Sequence, residues 1–401
     1  MDNGIFAGLK VIDCASFIAA PAAATVLSDF GASVIKIEPP GSGDPYRHLP
    51  NQPGYPVSEH NYAWLIESRN KQGLALDLAT AQGRAVLHRL VADADVFITN
   101  FPPAVRGRLG ITYAELAPLN ARLIYASFTG YGEIGEEANK PGFDTNAWWA
   151  RSGMMDLVRD GEEATPARSL PGMGDHPCAM ALYGAIVTAL YRRERTGKGA
   201  HVRSNLMANG LWANGTLAQA ALCGARFQPR RPRERALNAV TNHYRCRDGR
   251  WIILSLLSEE RQWPVLARCL GLETLIDEPR FATKAERHNH SVELIEILDK
   301  TFATKDLAQW RAILDGTGLV FGAVGLLGDL KDDKQMRDND VLIPFADSDT
   351  LTIASPIWID GAAKVAPRRP PGIGEHSDAI LRDAGYDETE IATLRDAGVV
   401  A

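Results

Sequence analysis

The first two hundred residues alternate between short apolar runs and segments with helical spacing. Residues 9–13 and 34–38 are typical of strands, and a helical pattern over residues 20–30 connects them. Two strands joined by a crossover helix pair in parallel, and repetition of this unit builds a doubly wound sheet. The alternation continues with strand patterns at 73–77, 96–99 and 123–128 and a helical pattern at 80–92. The sequence therefore predicts an α/β protein with a mostly parallel sheet.

The length of 401 residues exceeds what a single hydrophobic core usually serves, so we expect two domains. A basic, proline-containing stretch interrupts the pattern at 227–235. A hairpin pattern about Asp248-Gly249 and amphipathic helices at 259–270 and 292–302 follow it. The predicted arrangement has five parts: a large α/β domain over 1–205, a linker over 206–234, a smaller α+β domain over 235–315, a return linker with short strands over 316–370, and a C-terminal segment over 371–401 that completes the large domain.

Composition narrows the class of protein. The net charge of −6 argues against broad binding to nucleic acid or an anionic membrane, although a small basic pocket for a phosphorylated ligand remains compatible with it. The five cysteines are scattered and lack CxxC spacing, which argues against disulfides and zinc. The sequence has no signal-peptide pattern and no apolar run of about 20 residues. We expect a soluble cytoplasmic protein without a metal site.

One acidic residue stands between a glycine-rich turn and the clearest helical pattern, which covers residues 175–195. It is Asp175, in the run Pro171-Gly-Met-Gly-Asp-His-Pro177. An aspartate here is a good helix N-cap, but the same helix end also keeps a displayed carboxylate ionised for nucleophilic attack. Gly172 and Gly174 would let an acyl group approach closely. His176 is either an orienting group or a solvated loop histidine.

Other motifs favour structural interpretations. Gly130-Tyr-Gly-Glu-Ile-Gly135 matches the dinucleotide pattern GxGxxG, but Pro141 and several acidic residues follow where a crossover helix should begin. We therefore expect a tight loop there. The chain lacks the GxSxG nucleophile elbow of serine hydrolases. His288 and His290 occupy a polar stretch and are interpreted as surface residues.

Several short segments together resemble the family III CoA-transferases, also called the CaiB/BaiF family, which is related to the α-methylacyl-CoA racemases. The resemblance runs nearly end to end, and it rests on the order and spacing of the segments. They are Gly8-Leu-Lys-Val-Ile-Asp13, Gly31-Ala-Ser-Val-Ile-Lys-Ile-Glu38, Gly43-Asp-Pro-Tyr-Arg47, Asn70-Lys71, Asp93-Ala-Asp-Val-Phe-Ile-Thr-Asn100, Pro141-Gly-Phe-Asp144, Arg193-Glu-Arg-Thr-Gly-Lys-Gly199 and Pro371-Gly-Ile-Gly-Glu-His376.

The resemblance implies an activity and a nucleophile. Asp175 occupies the position of the family's catalytic aspartate, which forms a mixed anhydride with the acyl group and then a thioester with CoA. The implied partners are an acyl-CoA and a carboxylic acid. CoA thioesters are then substrates, no cofactor is permanently bound, and the subunits form an interlocked homodimer.

The resemblance also implies a CoA site. Arg108 would pair with a phosphate, although a solvated charge at a helix end is an equal alternative. The residues that correspond to CoA-lining positions are Ile18, Ala19, Leu76, Asp77, Asn100, Phe101, Arg108, Lys140, Phe143 and Asp144.

Within this family, transfer is favoured over racemisation. The racemases move a proton with the histidine of a Gly-His-Asp triplet, where this chain has Phe143, which cannot exchange a proton. A racemase-like enzyme and a CoA-binding protein without catalysis remain the alternatives. A narrower similarity, carried by residues 16–21, 141–144 and 174–176, points to transferases of 2-hydroxy and aryl acids. Trp148 and Trp149 would form an apolar acyl pocket or pack in the core.

Overall fold

The computed structural model describes residues 4–401, and its largest element is a parallel six-stranded sheet. The predicted α/β class with a large parallel sheet is confirmed. The strand order is β3-β2-β1-β4-β5-β6, and all neighbours pair in parallel. The strands are β1 (Lys10–Asp13), β2 (Ser33–Glu38), β3 (Gln72–Ala75), β4 (Val96–Thr99), β5 (Ile124–Thr129) and β6 (Ala200–Asn205).

Successive side chains of each strand point to opposite faces of the sheet. Both faces therefore carry apolar side chains, and helices pack against both. Val11, Ile98 and Ala126 join a core with the first and seventh helices, whereas Ile12 and Phe97 join the opposite core. The helices up to residue 222 are α1 (Ala19–Asp29), α2 (Tyr62–Ser68), α3 (Ala81–Ala92), α4 (Pro103–Leu109), α5 (Tyr113–Leu116), α6 (Met154–Leu157), α7 (Asp175–Thr196), α8 (Leu206–Ala213) and α9 (Gly215–Leu222).

The strand order reverses direction at β1, which pairs with β2 on one side and with β4 on the other. Chain leaving β1 runs towards one sheet edge, and chain leaving β4 runs towards the other. In open α/β sheets this divergence leaves a crevice at the carboxyl ends of the two strands, where ligands bind.

A second compact unit contains residues 158–167 and 226–333. It has a three-stranded antiparallel sheet and a core around Tyr244, Trp263 and Trp310. The predicted hairpin about Asp248-Gly249 is confirmed, and both predicted helices lie within one residue of their expected bounds. Its elements are β7 (His243–Arg245), β8 (Trp251–Leu254), α10 (Glu259–Leu270), α11 (Lys284–Asn289), α12 (Ser291–Phe302), α13 (Leu307–Leu314) and β9 (Phe321–Ala323).

The remaining chain returns to the first unit, which contains residues up to 157, 168–225 and 334–401. The Gly73 amide donates to His376 Nδ1 (3.2 Å), and Leu76 bridges to Val400. The expected helical tail is two helices, with Gly385 at a positive φ between them. The returning elements are α14 (Lys334–Asp338), β10 (Leu342–Pro344), β11 (Leu351–Ile353), α15 (Ser377–Asp383) and α16 (Glu388–Asp396).

The compact units divide the chain differently from the predicted linkers. Residues 206–225, expected in a linker, form α8 and α9 and belong to the first unit, as do residues 334–370. Within residues 4–401, no helix has both the length and the apolar character that crossing a membrane requires.

Candidate active site

A cavity of about 330 Å³ opens at the crevice between the carboxyl ends of β1 and β4. Loop residues 16–19 follow β1 and residues 100–102 follow β4, so both walls arise where the strand order reverses. Residues 128–130 at the end of β5, residues 140–143 and Asp175 also line the cavity, as do Pro45, Ala138 and Leu206. The fold thus puts its ligand crevice beside the residue that the sequence singled out.

The cavity collects most of the predicted site residues. Four others lie elsewhere: Leu76 is buried in the core, Asp77 accepts a hydrogen bond from the Ala79 amide (2.9 Å), Arg108 is exposed on α4, and Asp144 lies beneath the α7 start. Those in the lining are Ile18, Ala19, Asn100, Phe101, Lys140, Phe143 and Asp175.

A reciprocal pair of hydrogen bonds joins the two walls of the crevice. The Asn100 side chain accepts from the Ser16 amide (2.8 Å) and donates to the Ser16 carbonyl (2.6 Å). An amide side chain can do both at once because it carries a donor and an acceptor. The loops after β1 and β4 are therefore fixed to each other.

Phe17 lies in this wall with a left-handed backbone, at φ 63°, which is costly for a residue with a side chain. One carboxylate oxygen of Asp44 accepts from the amides of Phe17 (3.2 Å) and Tyr46 (2.9 Å) and holds the conformation. The other oxygen pairs with the buried Lys36 (2.8 Å). The strain directs the Phe17 ring onto Phe143, with ring centroids 5.4 Å apart. No local sequence pattern pointed to Phe17.

Asp175 is the first residue of α7, but its side chain does not cap the helix, because the cap position belongs to Gly174. The interpretation as an N-cap is therefore wrong. Among residues 4–401, no hydrogen bond reaches the Asp175 carboxylate. Burial raises the pKa of Asp175 to about 7, and the charges of Asp144 and Glu67 add to this effect, whereas His176 opposes it.

Trp148 and Gly174 meet beneath the nucleophile position. A Cβ atom on Gly174 would lie 2.6 Å from the Trp148 ring, so only glycine fits. A Cβ atom on Gly172 would likewise crowd His176 and Ile18, and neither glycine is among the residues that line the cavity. Trp148 and Trp149 belong to the core and do not line the cavity.

Trp148 and Asp144 belong to one π-helical segment, Asp144–Ala150. Such wide turns often occur at functional sites. Asp144 uses one carboxylate oxygen to accept from the Thr145 amide (2.8 Å) and the other to accept from the Gly174 amide (3.1 Å). The segment therefore supports the α7 start with both a ring and a carboxylate.

His176 is anchored by two hydrogen bonds, although its side chain is 46% exposed. Its Nδ1 lies 2.9 Å from the Gly172 carbonyl and its Nε2 lies 2.7 Å from Glu67 Oε1. Burial lowers the pKa of His176, but the hydrogen bond and charge of Glu67 outweigh it, so the pKa is raised to about 9. Glu67 comes from α2, which is 109 residues away in sequence, and no local motif revealed the pair.

The GxGxxG loop is formed by turns and bends, and no α-helix begins directly after it; the crossover to β6 is made by the later helix α7. Glu133 in this loop accepts from Ser127 (2.6 Å) and Arg106 (2.7 Å), and Ser127 also contacts His201 (2.8 Å). This Ser-His-Glu group is structural because Ser127 is fully buried. Gly130 of the loop lines the cavity, which the sequence had not indicated.

The histidines at 288 and 290 pair with carboxylates of the second unit. His288 contacts Glu259 (3.0 Å) and His290 contacts Glu293 (3.1 Å), so a carboxylate lies beside each ring. In the part of the chain that the structure describes, no group of three or more His, Cys, Asp or Glu side chains could hold a metal ion.

The chain is similar to known proteins along nearly its whole length. Residues 6–377 match CoA-transferase family III. An (R)-2-hydroxy-4-methylpentanoate CoA-transferase of Clostridioides difficile is 32% identical, over 98% of each chain. A cinnamoyl-CoA:phenyllactate CoA-transferase of Clostridium sporogenes is 30% identical, over 98% of this chain and 96% of that protein.

Among solved structures, a CaiB/BaiF family protein from Brucella suis superimposes with a TM-score of 0.85. The two sequences are 28% identical, and the match covers 95% of this chain and 100% of the other. Because the family match covers most of the sequence and the relatives match along nearly their full length, the chain belongs to CoA-transferase family III.

Proposed function

We propose that this enzyme transfers CoA from an acyl-CoA to a carboxylic acid with Asp175 as the covalent nucleophile. The observation that carries the proposal is the Asp175 carboxylate, which lines the crevice cavity and accepts no hydrogen bond from residues 4–401. A carboxylate is a modest nucleophile, so an unpaired and partly desolvated one is better prepared to attack than a hydrated one.

The reaction proceeds by four exchanges at carbonyl carbons. The Asp175 carboxylate attacks the thioester and expels CoA thiolate, which leaves a mixed anhydride. The thiolate attacks the Asp175 carbonyl and releases the donor acid, which leaves an aspartyl-CoA thioester. The acceptor carboxylate attacks that thioester and expels the thiolate, which then attacks the acceptor carbonyl and frees Asp175. Each step forms one bond and breaks one, and water must be excluded throughout.

We infer that the cavity holds the thioester end of CoA and that the implied CoA-lining residues bind it. Lys140 and Asn100 supply polar groups in a lining that is otherwise largely apolar. Arg108, exposed on α4, is available for a phosphate of CoA outside the cavity. Leu76, Asp77 and Asp144 lie outside the lining, so for them a contact with CoA remains a prediction.

We further propose that the acids are apolar 2-hydroxy or aryl acids. The relatives from Clostridioides difficile and Clostridium sporogenes are named for 2-hydroxy-4-methylpentanoate and phenyllactate, respectively. Phe17 and Phe143 give this cavity an aromatic wall, which suits an apolar acyl group.

The interlocked homodimer stays part of the proposal. It is supported by an unusually apolar surface on α8 and α9, where no residue of α9 is buried. Trp212 is 86% exposed and Leu222 is 79% exposed, and Leu211 and Leu217 are also exposed. Several large apolar side chains exposed on neighbouring helices are typical of a protein interface.

Covalent trapping tests the proposed mechanism. The protein is mixed with acetyl-, succinyl- and aryl-CoA donors, quenched during turnover and analysed by mass spectrometry of the peptide that holds Asp175. We expect a mass increase for an acyl or CoA adduct, its release by hydroxylamine, and its absence in Asp175→Asn. Product formation at an unchanged rate in the variant would refute the mechanism.

Racemisation is tested separately. A 2-methylacyl-CoA is incubated with the enzyme in deuterated water without an acceptor acid. We expect no exchange of the α-proton, because Phe143 cannot carry it. Rapid exchange of the α-proton would favour a racemase-like enzyme. Binding of CoA with neither a covalent adduct nor proton exchange would indicate a CoA-binding protein without catalysis.

A further inference from the structure

We propose that His176 is a positioning residue for Asp175: anchored on Glu67, it fixes the turn before α7 and supplies a positive charge beside the nucleophile. The inference rests on the proposed role of Asp175 and assigns a task to its neighbour. It begins from geometry, because both ring nitrogens of His176 lie within 3 Å of an acceptor, Glu67 Oε1 at 2.7 Å and the Gly172 carbonyl at 2.9 Å.

The two contacts define the charge of the ring. A carbonyl oxygen only accepts, so Nδ1 of His176 must carry a hydrogen and donate to Gly172. Nε2 faces the Glu67 carboxylate, which is 1% exposed and whose other oxygen has no partner among residues 4–401. A buried carboxylate needs a compensating cation. The doubly protonated imidazolium satisfies both acceptors and balances that charge.

The surroundings make this cation important for Asp175. Asp144 of the π-helical segment and Glu67 of α2 are the carboxylates that act on Asp175, and His176 is the only cation among these groups. Tyr46, which is buried nearby, feels the negative charges of Glu67, Asp175 and Asp44. Without the imidazolium, Asp175 would face two like charges in a partly desolvated crevice, and its neutral form would be favoured.

The same ring also fixes the shape of the turn. Gly172 has a left-handed backbone, with φ at 73°, and its carbonyl is held by His176. Two residues later, the Gly174 amide is held by Asp144. The turn is therefore tied at two points to residues outside it, through α2 on one side and the π-helical segment on the other.

A titration of Asp175 tests the inference without requiring a known substrate. The full-length protein is labelled with ¹³C at the aspartate carboxyl carbons, and the Asp175 signal is identified by its loss in Asp175→Asn. His176→Gln keeps a donor for Glu67 but removes the charge, whereas His176→Lys keeps the charge. His290→Gln is the matched control, because His290 pairs with Glu293 in the second unit.

We expect His176→Gln to raise the midpoint of the Asp175 titration by about one pH unit. His176→Lys should stay closer to the wild type than to His176→Gln, and His290→Gln should match the wild type. An unchanged midpoint in His176→Gln would overturn the inference. A shift of the same size in His176→Lys would do so too, because ring shape rather than charge would then be responsible.

Adduct trapping in the same preparations separates this inference from the proposed function. If the wild type forms no adduct at Asp175 while His176→Gln still shifts the titration, the proposed function fails and the electrostatic role of His176 stands. If adducts form and the titration does not move, the nucleophile stands and His176 is only structural. Circular dichroism on each variant checks that it is folded.

Discussion

The indole ring of Trp148 packs directly against the α-carbon of Gly174, the residue before Asp175. The contact joins the π-helical segment to the first turn of α7 and leaves no room for any side chain at position 174. Asp144, at the start of the same segment, accepts a hydrogen bond from the Gly174 amide. The position of the proposed nucleophile is therefore set by two residues of a neighbouring segment.

Gly174→Ala should lower both stability and turnover. The added methyl group would overlap Trp148, and overpacking of this kind costs about 1–3 kcal/mol. The control is Gly184→Ala in the middle of α7, where a Cβ atom meets nothing within 4 Å and alanine should stabilise the helix by up to about 1 kcal/mol. Thermal unfolding and transfer rates measure both variants. Equal behaviour of the two would contradict the packing argument.

Asp175→Asn should abolish transfer yet stabilise the protein in alkaline solution. The pKa of Asp175 is about 7 in the folded protein and 3.8 ordinarily, so the folded state binds the extra proton between these values. Stability therefore falls as pH rises through this window, and the loss is complete above it. We expect a gain of about 1–2 kcal/mol for the variant at pH 8.

Thermal unfolding of Asp175→Asn and the wild type at pH 8 and pH 5 provides the measurement. At pH 5 the wild-type side chain is mostly protonated, so the difference between the two proteins should be much smaller. If the difference in stability between the two proteins does not depend on pH, ionisation of Asp175 does not destabilise the folded protein.

The rate of acyl transfer should rise with pH through about 7, because only the ionised Asp175 attacks. Asp144→Asn keeps an oxygen for the Gly174 amide and removes one like charge, so its rising limb should move to lower pH. His176→Gln should move it in the opposite direction. Profiles of kcat/KM against pH test both variants. A shift of the rising limb in the same direction in the two variants would contradict the proposed arrangement of charges.

Asp44→Asn should destabilise the enzyme by about 3–5 kcal/mol, because it leaves the fully buried Lys36 without its closest carboxylate. Asparagine keeps an oxygen that can accept from the Phe17 and Tyr46 amides, so CoA binding should change less than stability. Asp93→Asn is the control: its salt bridge with Lys10 is exposed and should contribute less than about 1 kcal/mol. Chemical denaturation and CoA titration measure the pair.

The sheet could be predicted because five of its strands are apolar runs separated by helical patterns. The sixth, β6, was missed: its residues are mostly half-buried, and His201, Arg203, Ser204 and Asn205 give it a polar sequence. Helices α8 and α9 were also missed, because they are apolar without a polar face and offer no helical periodicity. The secondary structure of such segments cannot be recognised from hydrophobic periodicity and becomes clear only in the structure.

The candidate site was predicted in part. Asp175 was singled out by its glycine-rich turn and by the family resemblance, and the residues in the loops after β1 and β4 came from the resemblance alone. The pairs that tune the site join residues far apart in sequence, as in Glu67 with His176 and Asp144 with Gly174. Propensity and spacing describe neighbours along the chain, so they could not reveal these contacts or the left-handed backbone at Phe17.

The long return of the chain to β3 has a consequence during protein synthesis. The outer edge of β3 is completed by residues near 376 and 400, about 300 positions after the strand itself leaves the ribosome. Until then the strand exposes unpaired backbone groups, and contacts of such long range form slowly. Nascent chains of this enzyme should therefore depend on chaperones. A shortage of chaperones should lower the yield of folded enzyme without lowering its specific activity.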